Sequence, residues 1–184
     1  MEHVFKDVED RMQKAVNVFK NEISKLRTGR ASPQILDGIR VEYYGQKVPL
    51  KQVATINAPE PNLLVVQAWD KTVVPEIDRE IKKSGLGLNP RVEGNIIKIP
   101  IPPMSEERRQ ELIKIVKKFA EDTRVAIRNI RRDGMDKLKK MEKDKEISED
   151  ERKKGEEKIQ KLTDKYIEEV AILVKDKETE ILEE

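Results

Sequence analysis

The sequence predicts an α+β protein of two domains. An antiparallel three-helix bundle is built from residues 1–30 and 105–184, and a small β/α/β domain spanning residues 31–104 is inserted in it. Three observations predict this. Apolar residues recur every three or four positions in residues 5–26, 112–141 and 159–181. Between residues 31 and 104 the pattern changes to alternation and short apolar runs. Proline and glycine punctuate both places where the pattern changes, near residues 29–33 and 102–105.

The first long helix carries Phe5, Val8, Met12, Val16, Phe19, Ile23 and Leu26 on one stripe, with charged residues on its other faces. Thr28-Gly29 supplies its stop, because glycine accepts the left-handed geometry that ends helices. Ser32-Pro33 then reads as a cap followed by proline at the first position of a short helix running through Leu36. Ile39 to Tyr43 alternates as a half-buried strand, with Gly45-Gln46 as a turn. Leu50 to Ile56 and Leu63 to Trp69 are further strands, and Val73 to Lys83 is a helix with Val74, Ile77 and Ile81 on one face. Gly85 to Pro90 is a loop, and Ile96 to Ile101 is a buried strand closed by prolines. Ser105 caps the second long helix, whose first turn carries Glu106 and Glu107, where the helix dipole favours acids. Its stripe is Leu112, Val116, Phe119, Thr123, Ile127, Ile130, Leu138 and Met141, ending near Glu146. Ser148 and Glu151 form a capping box that opens the third helix, with a stripe of Ile159, Leu162, Tyr166, Val170, Leu173 and Ile181. At about 1.5 Å per residue the second helix is roughly 60 Å long. The first is shorter and is expected to cover only the half of the hairpin nearer the insertion, since Lys139 to Lys158 has little apolar surface to bury. The two chain crossings form a candidate hinge.

Composition removes most chemistry. There is no cysteine, which excludes disulfides, thiol nucleophiles and cysteine–metal sites and fits a reducing cytoplasm. The one histidine, His3, rules out histidine-based triads and multi-histidine metal centres. No apolar run approaches the roughly 20 residues of a membrane helix. The acidic, helix-patterned first residues read as neither a signal nor a transit peptide. We therefore expect a cytoplasmic, non-enzymatic binding protein that needs no metal or cofactor. The segment Glu142 to Glu151 lacks the glycine and ligand spacing of a calcium loop. Gly85-Leu86-Gly87-Leu88 lacks the Lys-Ser/Thr of a phosphate loop. Trp69 and the Tyr43-Tyr44 pair read as core and flanking residues, the alternative being an exposed aromatic that anchors a partner.

The charge is unevenly placed. Residues 105–135 hold nine basic and six acidic side chains, whereas residues 136–184 hold thirteen basic and seventeen acidic ones, although the whole chain is only +2. On a helical wheel with Arg109 at zero, Arg131, Arg124, Lys117 and Arg128 fall within an arc of about 100° beside the apolar seam. No acid enters that arc between Glu107 and Arg131, and Glu121 sits just outside it. Arg132 neighbours the arc, and Arg27 and Arg30 add two guanidinium groups at the end of the first helix. Two readings compete here. A charge run on a long helix is commonly a solvated face with i,i+4 pairs, and Arg131-Arg132 could pair with Asp133 or the acidic third helix. Alternatively, arginine forks over roughly 33 Å suit the backbone of a structured RNA, which arginine in preference to lysine and the missing acids favour.

Several longer strings resemble one family, the bacterial ribosome recycling factors. They are Ile23 to Pro33 (ISKLRTGRASP), Val41 to Gly45 (VEYYG), Leu86 to Pro90 (LGLNP), Arg124 to Asp133 (RVAIRNIRRD), Lys145 to Asp150 and Ile159 to Asp164. The similarity spans essentially the whole chain. One departure is Gly85, where the family usually has Asp. The resemblance implies a hinged, L-shaped monomer with tRNA-like dimensions. It implies binding to the post-termination ribosome between its subunits, with the bundle against large-subunit rRNA. Elongation factor G with GTP would then split the subunits so that they, the mRNA and the tRNA can be reused. It implies RNA contacts at Arg27, Arg30, Arg109, Arg128 and Arg131, three of which the wheel selects independently. With Lys117, Arg124 and Arg132 these make up the candidate RNA-binding set. The implied hinge comprises Gly29, Arg30, Ala31, Ser32 and Pro33 on one crossing and Pro102, Pro103 and Met104 on the other. Two rivals from other classes are a coiled-coil adaptor or chaperone, which would expose apolar residues on the hairpin, and a hydrolase or transferase, for which the residues are missing.

Overall fold

The structure is a computed structural model of the 184-residue chain that describes residues 1–26 and 29–183. The chain forms two compact units, Met1–Thr28 with Glu106–Glu183, and Gly29–Ser105.

The first unit is a bundle of α1 (Glu2–Ser24), α3 (Glu106–Lys143) and α4 (Glu149–Leu182). The smaller unit between them supplies α2. All three bundle helices pack on one another, and the core is the stripe the periodicity predicts. Phe5, Val8, Met12, Val16, Phe19 and Ile23 of α1 are buried, as are Leu112, Val116, Thr123, Ile127, Ile130 and Leu138 of α3. Ile159, Tyr166, Val170 and Ile181 complete it from α4. Phe119, Met141, Leu162 and Leu173 are only half-buried at the seam edges.

Two small residues that a hydrophobic pattern cannot flag are also buried. Gly134 lies where a Cβ would come within 2.8 Å of Val8 Cγ2 on α1 and 3.1 Å of Ile159 Cδ1 on α4. At Gly155 a Cβ would meet Leu138 Cδ1 at 2.9 Å, Met1 Sδ at 3.3 Å and Phe5 Cζ at 3.4 Å. These contacts correct the expected reach of α1. Its first turn lies against Gly155, about two turns from the start of α4, and Lys158 sits 4.4 Å from the centroid of the Phe5 ring. The first helix thus covers more than half of the hairpin, because glycine lets it approach closely where the sequence offers few large apolar residues.

The hairpin turn is fixed chemically. The Ser148 side chain accepts a hydrogen bond from the Glu151 backbone N–H at 3.1 Å, and the Glu151 carboxylate accepts one from the Ser148 N–H at 2.9 Å. Arg152 of α4 bridges Glu142 of α3 and Glu156 of its own helix. Lys145 adopts φ +61° and turns the chain between the two helices. The α3 helix ends at Lys143, three residues short of the expected Glu146.

The second unit holds two antiparallel sheets around α2 (Val74–Lys83). The first is a hairpin of β1 (Arg40–Tyr43) and β2 (Gln46–Pro49). Its turn lies at Tyr44-Gly45, one residue earlier than expected, with φ +50° and +78°, the two left-handed residues a tight hairpin turn needs. The second sheet has the order β3-β4-β6-β5, from β3 (Ala54–Glu60), β4 (Leu63–Ala68), β5 (Arg91–Glu93) and β6 (Ile96–Pro100). Leu64, Val66, Ile97 and Ile99 face one side of it and are buried in one core with Val74, Ile77 and Ile81 of α2.

Here too the structure corrects boundaries. Leu50–Gln52 is a single 3₁₀ turn, and β3 starts at Ala54 and runs past Pro59, which the ladder tolerates because β3 is an edge strand. The short strands β2 and β5 carry little apolar signal and escaped prediction. Ser32 caps the 3₁₀ turn Pro33–Leu36 as expected, and α1 ends at Ser24, before Leu26. The predicted helix stop Thr28-Gly29 lies partly outside the described residues; Gly29 itself has φ +83°.

Asp70 stabilises the entry to α2. Its carboxylate accepts from the Thr72 N–H at 2.9 Å and, more weakly, from the Tyr43 hydroxyl at 3.4 Å. The Thr72 backbone bond holds the Asp70 pKa below the ordinary carboxylate value. A depressed carboxylate pKa stabilises the fold above its unfolded value of about 3.9, and that contribution is lost as pH falls through the folded pKa. Asp70→Asn is therefore expected to flatten the acid limb of stability against pH, measured by urea unfolding between about pH 2 and 6. An unchanged acid limb would show that the cap is not titrating.

Candidate nucleic-acid interface

The predicted basic residues of α3 line its seam with α4, and the structure shows what holds them. Arg131 donates to the Gln160 side-chain carbonyl of α4 at 3.1 Å. Lys117 lies 3.9 Å from Glu178 of α4. Arg124 and Arg128 both reach the Glu121 carboxylate, at 3.4 and 3.2 Å. Arg109 is mostly covered and sits 3.8 Å from Glu106 one turn before it. Arg132 is exposed and makes no ion pair among the described residues. Arg109, Lys117, Arg124, Arg128 and Arg131 therefore share one flank of α3 beside α4, with Arg132 further round the helix.

Glu121 revises the electrostatics. The sequence places it just outside the arc, yet its side chain leans in and pairs with two of the arginines. Spacings of three and seven residues could have revealed those pairs. Gln160 and Glu178 could not have been found that way, because they come from another helix. The contacts of Lys117, Arg124 and Arg128 are exposed or partly exposed ion pairs, worth about 0–1 kcal/mol each, so a polyanion can displace them cheaply. Arginine keeps a fork for phosphate even while one N–H is engaged.

Arg30 is exposed in the second unit, and Arg27 lies outside the described residues. The candidate hinge residues that are described, Gly29 to Pro33 and Pro102 to Met104, all belong to the second unit. The two crossings touch, since a Cβ on Gly29 would lie 2.7 Å from Met104 Cγ. Both are tied to the turn joining β3 and β4: the Ala31 N–H donates to the Pro61 carbonyl at 2.6 Å and the Ile101 N–H to the Asn62 carbonyl at 2.7 Å.

The aromatic residues differ from expectation. Tyr44 is 85% exposed and Trp69 66% exposed, so neither is core; Tyr43 is half-buried and meets the Tyr44 ring edge-on at 4.5 Å. Tyr44 is displaced outward by its place in the hairpin turn. Trp69 follows the last residue of β4, and its indole N–H donates to Thr55 Oγ1 at 2.9 Å. Among the described residues no group of three or more acidic or histidine side chains could hold a metal ion, and no helix is long and apolar enough to cross a membrane.

Residues 19–182 match the sequence profile of the family described as "Ribosome recycling factor". The chain belongs to the ribosome recycling factor family. The ribosome-recycling factor of Carboxydothermus hydrogenoformans is 53% identical over 182 residues, covering 99% of this chain and 98% of that relative. That of Symbiobacterium thermophilum is 53% identical over 180 residues, covering 98% and 97%. A solution structure of the ribosome recycling factor aligns with a TM-score of 0.66 at 49% identity, covering 98% of this chain and 96% of the other. A second structure describes the T. thermophilus ribosome recycling factor and E. coli elongation factor G bound to the E. coli post-termination complex. It aligns with a TM-score of 0.60 at 47% identity, covering 99% of this chain and 98% of that one. As in its ribosome recycling factor relatives, this chain combines a long helical bundle with a small β-sheet domain.

Proposed function

We propose that this protein binds the post-termination ribosome between its subunits and, with elongation factor G and GTP, splits it so that the subunits, mRNA and tRNA can be reused. The observation that carries this reading is the basic flank of α3 beside α4. Its Lys117, Arg124 and Arg128 side chains are held by weak surface ion pairs, and its basic groups are spaced along one rigid helix. A 38-residue helix spans about 57 Å and does not bend easily under load, so charges fixed along it present a preset row to a folded RNA backbone. Large-subunit rRNA is the polyanion to which this row is assigned. Family membership, and a relative placed with elongation factor G on a post-termination complex, support the choice.

In this reading the protein works as a monomer in the cytoplasm and performs no catalysis. Energy comes from the partner's GTP. The two crossings at residues 29–33 and 102–105 act as the joint through which force passes from the smaller unit to the bundle. Their anchorage to the turn joining β3 and β4 gives the smaller unit one firm handle on both strands.

The test is light scattering of post-termination ribosomes. Scattering is expected to fall, as subunits separate, only when this protein, elongation factor G and GTP are all present. Unchanged scattering with all three, at concentrations where the protein is bound, would overturn the splitting function while leaving ribosome binding intact.

A further inference from the structure

The two seams of α3 differ chemically. Beside α4 runs the basic flank; beside α1 runs an apolar groove. The groove has a volume of about 270 Å³. Its floor is Phe19 of α1 and the half-buried Phe119 of α3, with Ala15 and Ala126 as walls. Val18 projects at its edge and is 62% exposed in the middle of a helix whose outward positions are otherwise nearly all polar or charged. Acids stand on both rims, Glu22 on α1 and Asp122 on α3. Glu22 has Lys25 at 3.8 Å, whereas Asp122 has no ion-pair partner among the described residues.

We infer that this α1–α3 groove docks a basic protein segment, one large apolar side chain entering between Phe19 and Phe119 while flanking lysine or arginine meets Asp122 and Glu22. Three observations select that occupant. The volume is below the roughly 300 Å³ at which small-molecule sites begin, and suits a single anchor side chain. The small side chains of Ala15 and Ala126 leave the groove unfilled, and exposed valine beside apolar floor is the pattern of a helix-in-groove contact. At this groove the rim acids disfavour phosphate and favour cations, in contrast to the basic flank on the other side of α3. One helix thereby presents nucleic acid on one side and protein on the other.

This inference rests on the ribosome reading, and the experiment separates the two. A photo-crosslinking amino acid is placed at Val18, and in a second preparation at the exposed Val125, which adjoins Arg124 and lies outside the candidate RNA-binding set. Each protein is bound to post-termination ribosomes with elongation factor G and GTP, and the adducts are digested and sequenced. The Val18 probe is expected to yield a peptide adduct in a lysine- or arginine-rich segment, and the Val125 probe an RNA adduct. Glu22→Gln with Asp122→Asn is expected to lower the Val18 adduct about tenfold relative to the Val125 adduct, since rim charges set partner choice. An RNA adduct from Val18, an acidic peptide, or no Val18 adduct beside a normal Val125 adduct overturns the groove. Loss of both adducts overturns the ribosome reading and the groove with it.

Discussion

Replacing Arg124, Arg128 and Arg131 together with glutamine is expected to weaken binding to large ribosomal subunits and to flatten its salt dependence. Each phosphate contact contributes about 0.9 to the slope of log affinity against log salt, so losing three removes roughly 2.7. Between 50 and 200 mM salt the unaltered protein should therefore lose about 40-fold more affinity than the triple variant. Fold damage is separable by melting. Arg131 gives up one hydrogen bond to Gln160, worth about 1 kcal/mol, and the other two give up surface pairs with Glu121. Glu121→Gln makes the opposite prediction. It releases two guanidinium groups from their internal partner, so binding should tighten and the salt slope should steepen. A solvated helix face predicts no effect on ribosome affinity from either change. Filter binding across a salt series decides, and equal slopes for the unaltered and triple-variant proteins would remove RNA from the role of that flank.

Gly134→Leu is expected to destabilise the bundle by about 3 kcal/mol or more, among the larger effects available to one residue here. Glycine in a helix interior costs about 1 kcal/mol relative to alanine, so propensity alone would make leucine favourable. Contact geometry reverses that sign. Even a Cβ would sit 2.8 Å from a Val8 methyl and 3.1 Å from Ile159. Val8 is β-branched and stiff, so it cannot swing aside without moving α1. Leucine adds three further carbons at the point where α1 and α4 both press on α3. The midpoint of urea unfolding should fall, and far-ultraviolet helicity should survive longer than near-ultraviolet signals of packing. Gly38→Ala is the control, because nothing lies within 4 Å of the added methyl there. It should leave stability within about 1 kcal/mol of the unaltered protein. A Gly134→Leu protein as stable as that control would mean that the close approach of α1 does not hold the bundle together.

These two positions also show how far reading residues in order can go. The stripes on α1, α3 and α4 were legible because burial on one face of a helix imposes a 3.6-residue period, and Met12, Leu112, Ile127 and Ile159 are buried where that period puts them. The capping box at Ser148 was legible because both partners lie within four residues. Edge strands were not. β2 is short and half exposed, β5 is short and exposed, and neither carries alternation to detect, while β3 begins four residues later than its apolar run because Leu50 is spent on a 3₁₀ turn. Trp69 and Tyr44 were read as core or flanking because large aromatics usually bury, yet a hairpin turn and a strand end expose them.

The sequence by itself determined the two-unit plan, the family, the periodic cores and the row of basic residues on α3, all of which depend on spacing along one element. Tertiary structure alone decided how close α1 approaches through Gly134 and Gly155, that Gln160 answers Arg131 and Glu178 answers Lys117 from α4, and that the other seam of α3 stays open as an acidic-rimmed groove. The physical reason is range: helix periods, caps and turn residues act within a few residues, whereas a seam is made by side chains on different helices, 29 positions apart for Arg131 and Gln160 and 126 for Val8 and Gly134, whose meeting depends on volume and approach that no local pattern encodes.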